Sequence, residues 1–166
     1  MANVCVIIPM NEFLDEYIEL LKKAVDSVKE GIKVILSCPK NTSNEDLKKV
    51  PSRCEIVNTS ESDSFQSLVN EGAAKCGEKW FSILEFDDTY TDIWFDSFEK
   101  YLEYRPNVSV FMPLEDVTDF NNGDYLILGN AEAHAASFSN ELGYIDLDCL
   151  QEYFDFYMTR KHLQYR

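Results

Sequence analysis

Apolar residues fall into two rhythms along the first 112 positions, and the switches between them mark the elements. Val4-Cys5-Val6-Ile7-Ile8 is a continuous apolar run closed by Pro9, the pattern of a strand buried on both faces of a parallel sheet. Asn11 is placed to cap the next element. Phe13, Leu14, Tyr17, Leu20, Leu21, Ala24, Val25 and Val28 then recur every three or four residues, the stripe of an amphipathic helix, with Gly31 as its stop. Lys33 to Cys38 is a second apolar strand, broken by Pro39. A strand, a helix and a strand in this order predict a right-handed crossover joining parallel strands.

The alternation continues. Asn41 to Pro51 is polar, with a short helix starting at Asn44, and Glu55-Ile56-Val57 is a third strand. A polar loop, Ser60 to Ser64, leads into a helix marked by Phe65, Leu68, Val69, Gly72 and Cys76 and closed by Gly77. In Trp80-Phe81-Ser82-Ile83-Leu84 both alternating sets suit burial, as in a central strand. Ile93, Trp94, Phe98, Tyr101 and Leu102 mark a helix that ends before Pro106, and Val108 to Met112 is a strand stopped by Pro113. The last third differs. Asn121-Asn122-Gly123-Asp124 signals a hairpin turn before Tyr125 to Leu128. Ala131 to Ser139, with His134 inside, reads as a loop. Leu147, Leu150, Tyr153, Phe154, Tyr157 and Met158 predict a final helix running into a basic end. Its aromatic residues suit a core first, and with an aromatic on nearly every side they could also form a partner surface such as one for a second copy of the chain. There are no internal repeats.

Length and composition fit one domain, 1–166, with a real core: 45% of residues are hydrophobic. Charge changes the picture more. Thirty acidic residues against 15 Lys and Arg give a net charge of −15. Nucleic-acid backbones and anionic membrane surfaces need a basic footprint, so neither is expected as a partner. No run approaches the roughly 20 apolar residues of a membrane span, and the opening residues lack a basic leader, so a cytoplasmic setting is expected. Cys5, Cys38, Cys54, Cys76 and Cys149 are odd in number and contain no CxxC pair. That spacing argues against zinc and for a reducing compartment.

The strand at Trp80 runs into three carboxylates within four positions, Glu85, Asp87 and Asp88. Like charges at the end of an apolar strand repel one another and resist desolvation. Two arrangements relieve this. The acids can cap the next helix, or they can hold Mg²⁺ or Mn²⁺, which favour carboxylate oxygens. In open α/β sheets, ligands bind at the carboxyl ends of the strands. That places Pro9 to Glu12, Ser37-Cys38 and Glu85 to Asp88 along one edge.

Three segments carry a family resemblance. Val4–Asn11, VCVIIPMN, is similar to an apolar strand followed by P-x-x-N. Asn70-Glu71-Gly72 is similar to the N-x-G of a helix. Leu84-Glu85-Phe86-Asp87-Asp88 is similar to L-D-x-D-D, a DxD metal motif. In this order they resemble the inverting family-2 glycosyltransferases, in particular the small glycosyltransferase-like proteins of marine phages and other viruses, which would place the chain in a host cytoplasm. The resemblance implies an α/β, Rossmann-like GT-A fold: a mostly parallel central sheet flanked by helices, with a small hairpin in the C-terminal third. Residues 1–112 would form the nucleotide-sugar-binding part and 113–166 a shortened acceptor-side part. It further implies a nucleotide-sugar donor held by Pro9, Asn11, Glu12, Ser37 and Asn70, and Mn²⁺ or Mg²⁺ held by Glu85, Asp87 and Asp88. The acceptor (glycan, lipid or protein) is left open. Inverting transfer needs a carboxylate base, for which Asp116, Glu152 and Asp155 are the candidates.

The chain also departs from that pattern. Ser37 or Cys38 stands where the second strand of the family ends in a base-recognising Asp, Glu85 replaces the first Asp of the metal motif, and Val69 replaces an Arg. Longer relatives continue past the position of Arg166 into a further acceptor-side segment. Beside a metal-assisted glycosyltransferase, a non-catalytic binding or structural module of the same fold is therefore the alternative reading. A flavodoxin-like domain shares the βαβ pattern and leaves the acidic cluster unexplained.

Overall fold

In the computed structural model, residues 3–104, 110–111 and 137–139 are described. The element order is β1 (Val4–Pro9), α1 (Asp15–Ser27), β2 (Lys33–Pro39), α2 (Asn44–Leu47), β3 (Cys54–Ser60), α3 (Phe65–Lys75), β4 (Trp80–Ile83), α4 (Trp94–Tyr104), β5 (Val110–Phe111) and β6 (Ser137–Ser139). They build one sheet in the order β3-β2-β1-β4-β6-β5. The first four strands are parallel, and β6 pairs antiparallel with both β4 and β5. Residues 137–139 thus form a strand, where the sequence reads as a loop. Their ladder bonds to β4 override a composition, Ser-Phe-Ser, with little strand signature of its own. The turn at 121–124 and the final helix lie outside the described residues.

Every residue of β1 is buried, because each face of the sheet has its own helical cover. On one face Val4, Val6 and Ile8 meet Val34, Leu36 and Cys38 of β2, Trp80 and Leu84, all beneath α1 and α4. On the other, Cys5 and Ile7 join Ile35, Val57, Phe81 and Ile83 beneath Val69 of α3. The alternation in Trp80 to Leu84 is split between the two layers as expected. Aromatic rings fill the α4 side: Trp80 meets Phe98 edge-on at 5.6 Å, and Trp94 stacks on Phe98 at 5.3 Å.

Helix boundaries depart from the sequence reading in instructive ways. α1 begins after Leu14, an extended N-cap residue without a side-chain cap bond. Leu14 is accordingly 51% exposed, although its spacing puts it in the apolar stripe. Asn11 does not cap α1; its amide donates to the Asp63 carbonyl at 3.4 Å. The helix ends at Ser27, before Gly31. Arg53 reaches back from the β3 side and donates to the carbonyls of Val25 (2.9 Å) and Lys29 (2.7 Å), serving the C-terminal end of α1. Gly31, with φ 81°, makes the later turn into β2, where its missing Cβ avoids strain. Ser43 caps α2 and Ser64 caps α3, each accepting from the N–H three residues on. Ile93 lies just before α4 and is 69% exposed, and Tyr101 is exposed on α4, so neither belongs to its buried face.

One close approach sets α3 on the sheet. A Cβ added at Gly72 would sit 2.7 Å from Cγ2 of Ile7, a residue that is itself fully buried. Only glycine lets the helix backbone come this near β1. Gly72→Ala is expected to lower the unfolding free energy by about 1–2 kcal/mol, since overpacking at so close a contact costs roughly 2–3, the upper part of its usual range, and alanine's better helix propensity returns about 1. Thermal unfolding should show a fall of roughly 2–8 °C in Tm; an unchanged or higher Tm would mean that the Ile7 contact does not constrain α3.

Candidate functional site

Strand order decides where a site can form. Chain direction across the sheet reverses between β1 and β4: β1 passes through α1 to β2 on one side, while β4 adds on the other side after α3 has crossed the opposite face. That gap is the topological switch point, where loops from neighbouring strands part and leave a crevice at the carboxyl ends. Two predicted segments flank it. Met10 to Glu12 leave β1, with the Met10 N–H donating to the Ser37 carbonyl at 2.9 Å. Leu84 to Asp88 leave β4, with the Leu84 N–H donating to the Ile7 carbonyl at 3.0 Å.

The acidic segment is a fixed turn. The Asp88 N–H donates to the Glu85 carbonyl at 3.2 Å. Phe86 packs against Tyr17 of α1 at 4.9 Å between ring centroids. Just beyond, Tyr90 is buried, and its hydroxyl donates to Oγ of Ser82 on β4 at 2.8 Å. The Tyr90 ring lies 4.5 Å from Trp94 and 4.9 Å from Phe95, and its N–H donates to Oγ of Ser27. Burial pushes the Tyr90 hydroxyl above the ordinary phenol range, so it stays a neutral donor and acceptor. Between these anchors Asp87 is exposed at the turn, with Glu85 and Asp88 half-buried. The capping alternative fails on position: α4 starts at Trp94, six residues past Asp88, and the helix dipole acts only within its first turn. The turn carries one exposed and two half-buried carboxylates, hard oxygen donors of the kind Mg²⁺ and Mn²⁺ favour.

On the other side of Asn11 the strand ends frame a polar cleft of about 490 Å³, lined by Asn11, Pro39, Asn41, Glu61, Ser62 and Asp63. Glu61, Ser62 and Asp63 come from the β3–α3 loop. Glu61 pairs with Lys40 at 2.6 Å, and the Ser60 hydroxyl donates to the Ser62 carbonyl at 2.6 Å. In the sequence, Glu61 and Asp63 stand out only as members of a polar loop. The signal available was topological: a loop leaving a parallel strand must emerge on the carboxyl edge, with Pro9 and Pro39.

The predicted donor-binding residues are placed unequally. Asn11 lines the cleft and Glu12 is exposed beside it. Pro9 and Ser37 are register partners at the sheet edge, and both are buried. Ser37 Oγ has no hydrogen-bond partner, and its Cβ lies towards α3, 3.5 Å from where a Gly72 Cβ would be. Asn70 is half-buried on α3. Asp116, Glu152, Asp155 and His134 lie outside the described residues.

No known protein family matches the chain, and no curated protein matches it. Solved structures do. A mannosyltransferase from Pyrobaculum calidifontis, in complex with GDP-Man and Mn²⁺, aligns over 88% of this chain and 48% of its own, with 16% identity and a TM-score of 0.64. Residues 1–349 of S. aureus TarS align over 86% and 48%, with 10% identity and a TM-score of 0.59. The fold is GT-A-like. A 4-diphosphocytidyl-2C-methyl-D-erythritol synthase shares it more distantly, over 92% of this chain and 84% of its own, with 10% identity and a TM-score of 0.55. At these identities the likeness is one of fold, and it spans glycosyltransferase and nucleotidyltransferase structures. The chain spans about half the length of the first two.

The Tyr90–Ser82 bond is the buried anchor of the acidic turn. Tyr90→Phe is expected to lower stability by about 1–3 kcal/mol, the range for a buried hydrogen bond that loses one partner. Hydrogen exchange should also become faster at Phe86 to Thr89 than across β1. Uniform acceleration across the sheet would show that the bond supports the whole fold and not this turn.

Proposed function

We propose that the chain is a nucleotide-sugar-dependent glycosyltransferase that works with Mn²⁺ or Mg²⁺. The observation that carries the reading is the backbone-fixed turn of Glu85, Asp87 and Asp88, set at the switch point of a GT-A-like sheet beside a polar cleft. Strands in a sheet lie about 4.8 Å apart, so three spacings, roughly 14 Å, separate the end of β3 from the end of β4. A nucleoside seated over Pro39 in the cleft would direct its diphosphate along this edge towards Asp87.

Asp87, with Asp88 or Glu85, would hold the cation through carboxylate oxygens, and the bound ion would supply charge neutralisation for the leaving diphosphate. The chain's own residues do the rest. Asn11, which lines the cleft, would contact the nucleoside from the β1 loop. Asp63 and Asn41 reach the cleft from neighbouring loops and offer the acceptor and donor groups that base and ribose edges need. This assigns to the β3–α3 loop the carboxylate that the end of β2 lacks. Asp116, Glu152 and Asp155 remain the candidates for the base that takes the acceptor hydroxyl's proton.

The second reading, a non-catalytic binding module of the same fold, is favoured by one specific observation: Ser37 is 0% exposed and lines no part of the cleft. Calorimetric titration separates the two. GDP, UDP and CDP are each titrated with and without Mn²⁺. We expect at least one to bind more tightly with the ion, and Asp87→Ala to weaken that metal-dependent binding at least tenfold, about 1.4 kcal/mol. No metal-dependent binding by the wild type would sink the enzyme reading. Metal-dependent binding without hydrolysis or transfer of the matching nucleotide sugars would favour the module.

A further inference from the structure

The opposite end of β1 carries a different chemistry. Donor atoms of Cys5, Cys76 and Glu78 all lie within 4.8 Å of one another. Cys5 is fully buried on β1, Cys76 is the half-buried C-cap of α3, and Glu78 is half-buried in the turn to β4. Cys76 Sγ is 3.5 Å from a carboxylate oxygen of Glu78, whose same oxygen accepts from the Gly77 N–H at 3.0 Å. Neither cysteine is in a disulfide.

The grouping is a product of the packing. Gly72 sits on Ile7. Four residues along a helix advance about 6 Å, and two residues back along a strand about 6.6 Å. Cys76 therefore arrives over Cys5, although the two are 71 positions apart in sequence. We propose that Cys5, Cys76 and Glu78 form a site for a thiophilic divalent cation, Zn²⁺ being the natural occupant. The absence of a CxxC pair points away from zinc, but the Gly72 contact takes the place that short spacing has in a zinc ribbon.

The chemistry supports a metal over a reactive thiol. Cys5 is fully buried, away from any solution electrophile, and Cys76 Sγ already faces a carboxylate oxygen of Glu78. A bound cation deprotonates coordinating thiols outright. Binding would form two metal–sulfur bonds and one metal–oxygen bond and release two thiol protons to solvent, with no change in oxidation state. Zn–S bonds of about 2.3 Å at tetrahedral angles bring two sulfurs about 3.8 Å apart, so side-chain shifts of order 1 Å close the site. Two thiolates and one carboxylate around a divalent ion leave a single negative charge. Lys33, the register partner of Cys5, lies beside it; its ammonium is paired with Glu55 at 3.0 Å. Two sulfur ligands select Zn²⁺ or Co²⁺ over the Mg²⁺ and Mn²⁺ that suit Asp87. The three ligands come from β1, α3 and the turn to β4, so the ion would staple these elements and leave the carboxyl edge to the other site.

Titration of the reduced full chain with Co²⁺ tests this. We expect one equivalent to give a thiolate-to-cobalt charge-transfer band, lost on addition of Zn²⁺ and kept in excess Mg²⁺. Cys76→Ser, at a half-buried position, should abolish the band, and Glu78→Gln should weaken binding at least tenfold, with circular dichroism verifying that each variant folds. Cys54→Ser and Asp87→Ala should leave the band unchanged. No charge-transfer band in the wild type, a band that survives Cys76→Ser, or one lost in Cys54→Ser would overturn the assignment.

Discussion

The contact between Gly72 and Ile7 is the constraint on which most of this architecture depends. β1 is the strand on which both layers of the core are built, and it is buried along its whole length. One face is covered by α1 through ordinary side-chain packing. The other is covered by α3, which must come close enough for a Cβ to be excluded. Dispersion attraction falls off steeply with even a small gap. A helix held off by one methyl group would therefore loosen its packing on Ile7 and Ile35. It would also shift relative to the strand ends, because α3 is tied at its start to the β3 loop and at its finish to the turn before β4.

This explains why the carboxyl edge is organised where it is. The cleft loop, Glu61 to Asp63, leads directly into Ser64, whose hydroxyl caps α3. The acidic turn leaves β4, the strand that α3 delivers. The acidic turn is anchored by backbone bonds and an uncharged side chain: the Leu84 N–H on the Ile7 carbonyl, the Asp88 N–H on the Glu85 carbonyl, and the neutral Tyr90 hydroxyl on Ser82. Under the proposed function the net charge of −15 has a counterpart: a divalent cation would neutralise the local charge and admit an anionic diphosphate that an acidic surface alone would repel.

The fold was legible in the sequence because its signals are local and redundant. Val4 to Ile8, Val34 to Leu36 and Trp80 to Leu84 carry apolar residues on both alternations, as a strand buried on both faces needs. The short helix at Asn44 was visible from its polar context. The features that were not legible depend on partners distant in sequence. β6 is a strand because β4 and β5 pair with it, and nothing in Ser137 to Ser139 announces that. Leu14 has the spacing of a core residue and stands outside the helix. Asn11 has the chemistry of a cap, and its amide is used by the Asp63 carbonyl, 52 positions away. The candidate site was half legible. The acidic turn declares itself by composition. The contribution of Glu61 and Asp63 requires knowing that the β3 loop emerges beside Asn11, and Ser37, on the expected strand end, turns into the α3 layer instead.

The proposed zinc site is hidden from the sequence for the same reason. Spacing rules for metal sites describe ligands brought together by a tight turn, where sequence proximity stands in for spatial proximity. A parallel βαβ unit provides another route, in which the helix returns over the strand that began the sheet. The pairing of positions is then set by one registration contact and the two rises per residue, about 1.5 Å for the helix and about 3.3 Å for the strand. In this chain Gly72 on Ile7 supplies that contact, so Cys76 over Cys5 is a consequence of the fold. The same strand therefore ends in hard oxygen donors nearby on one side and meets soft sulfur donors on the other. Because β1 separates them by several residues of buried apolar chain, a cation suited to one end has no reason to compete at the other.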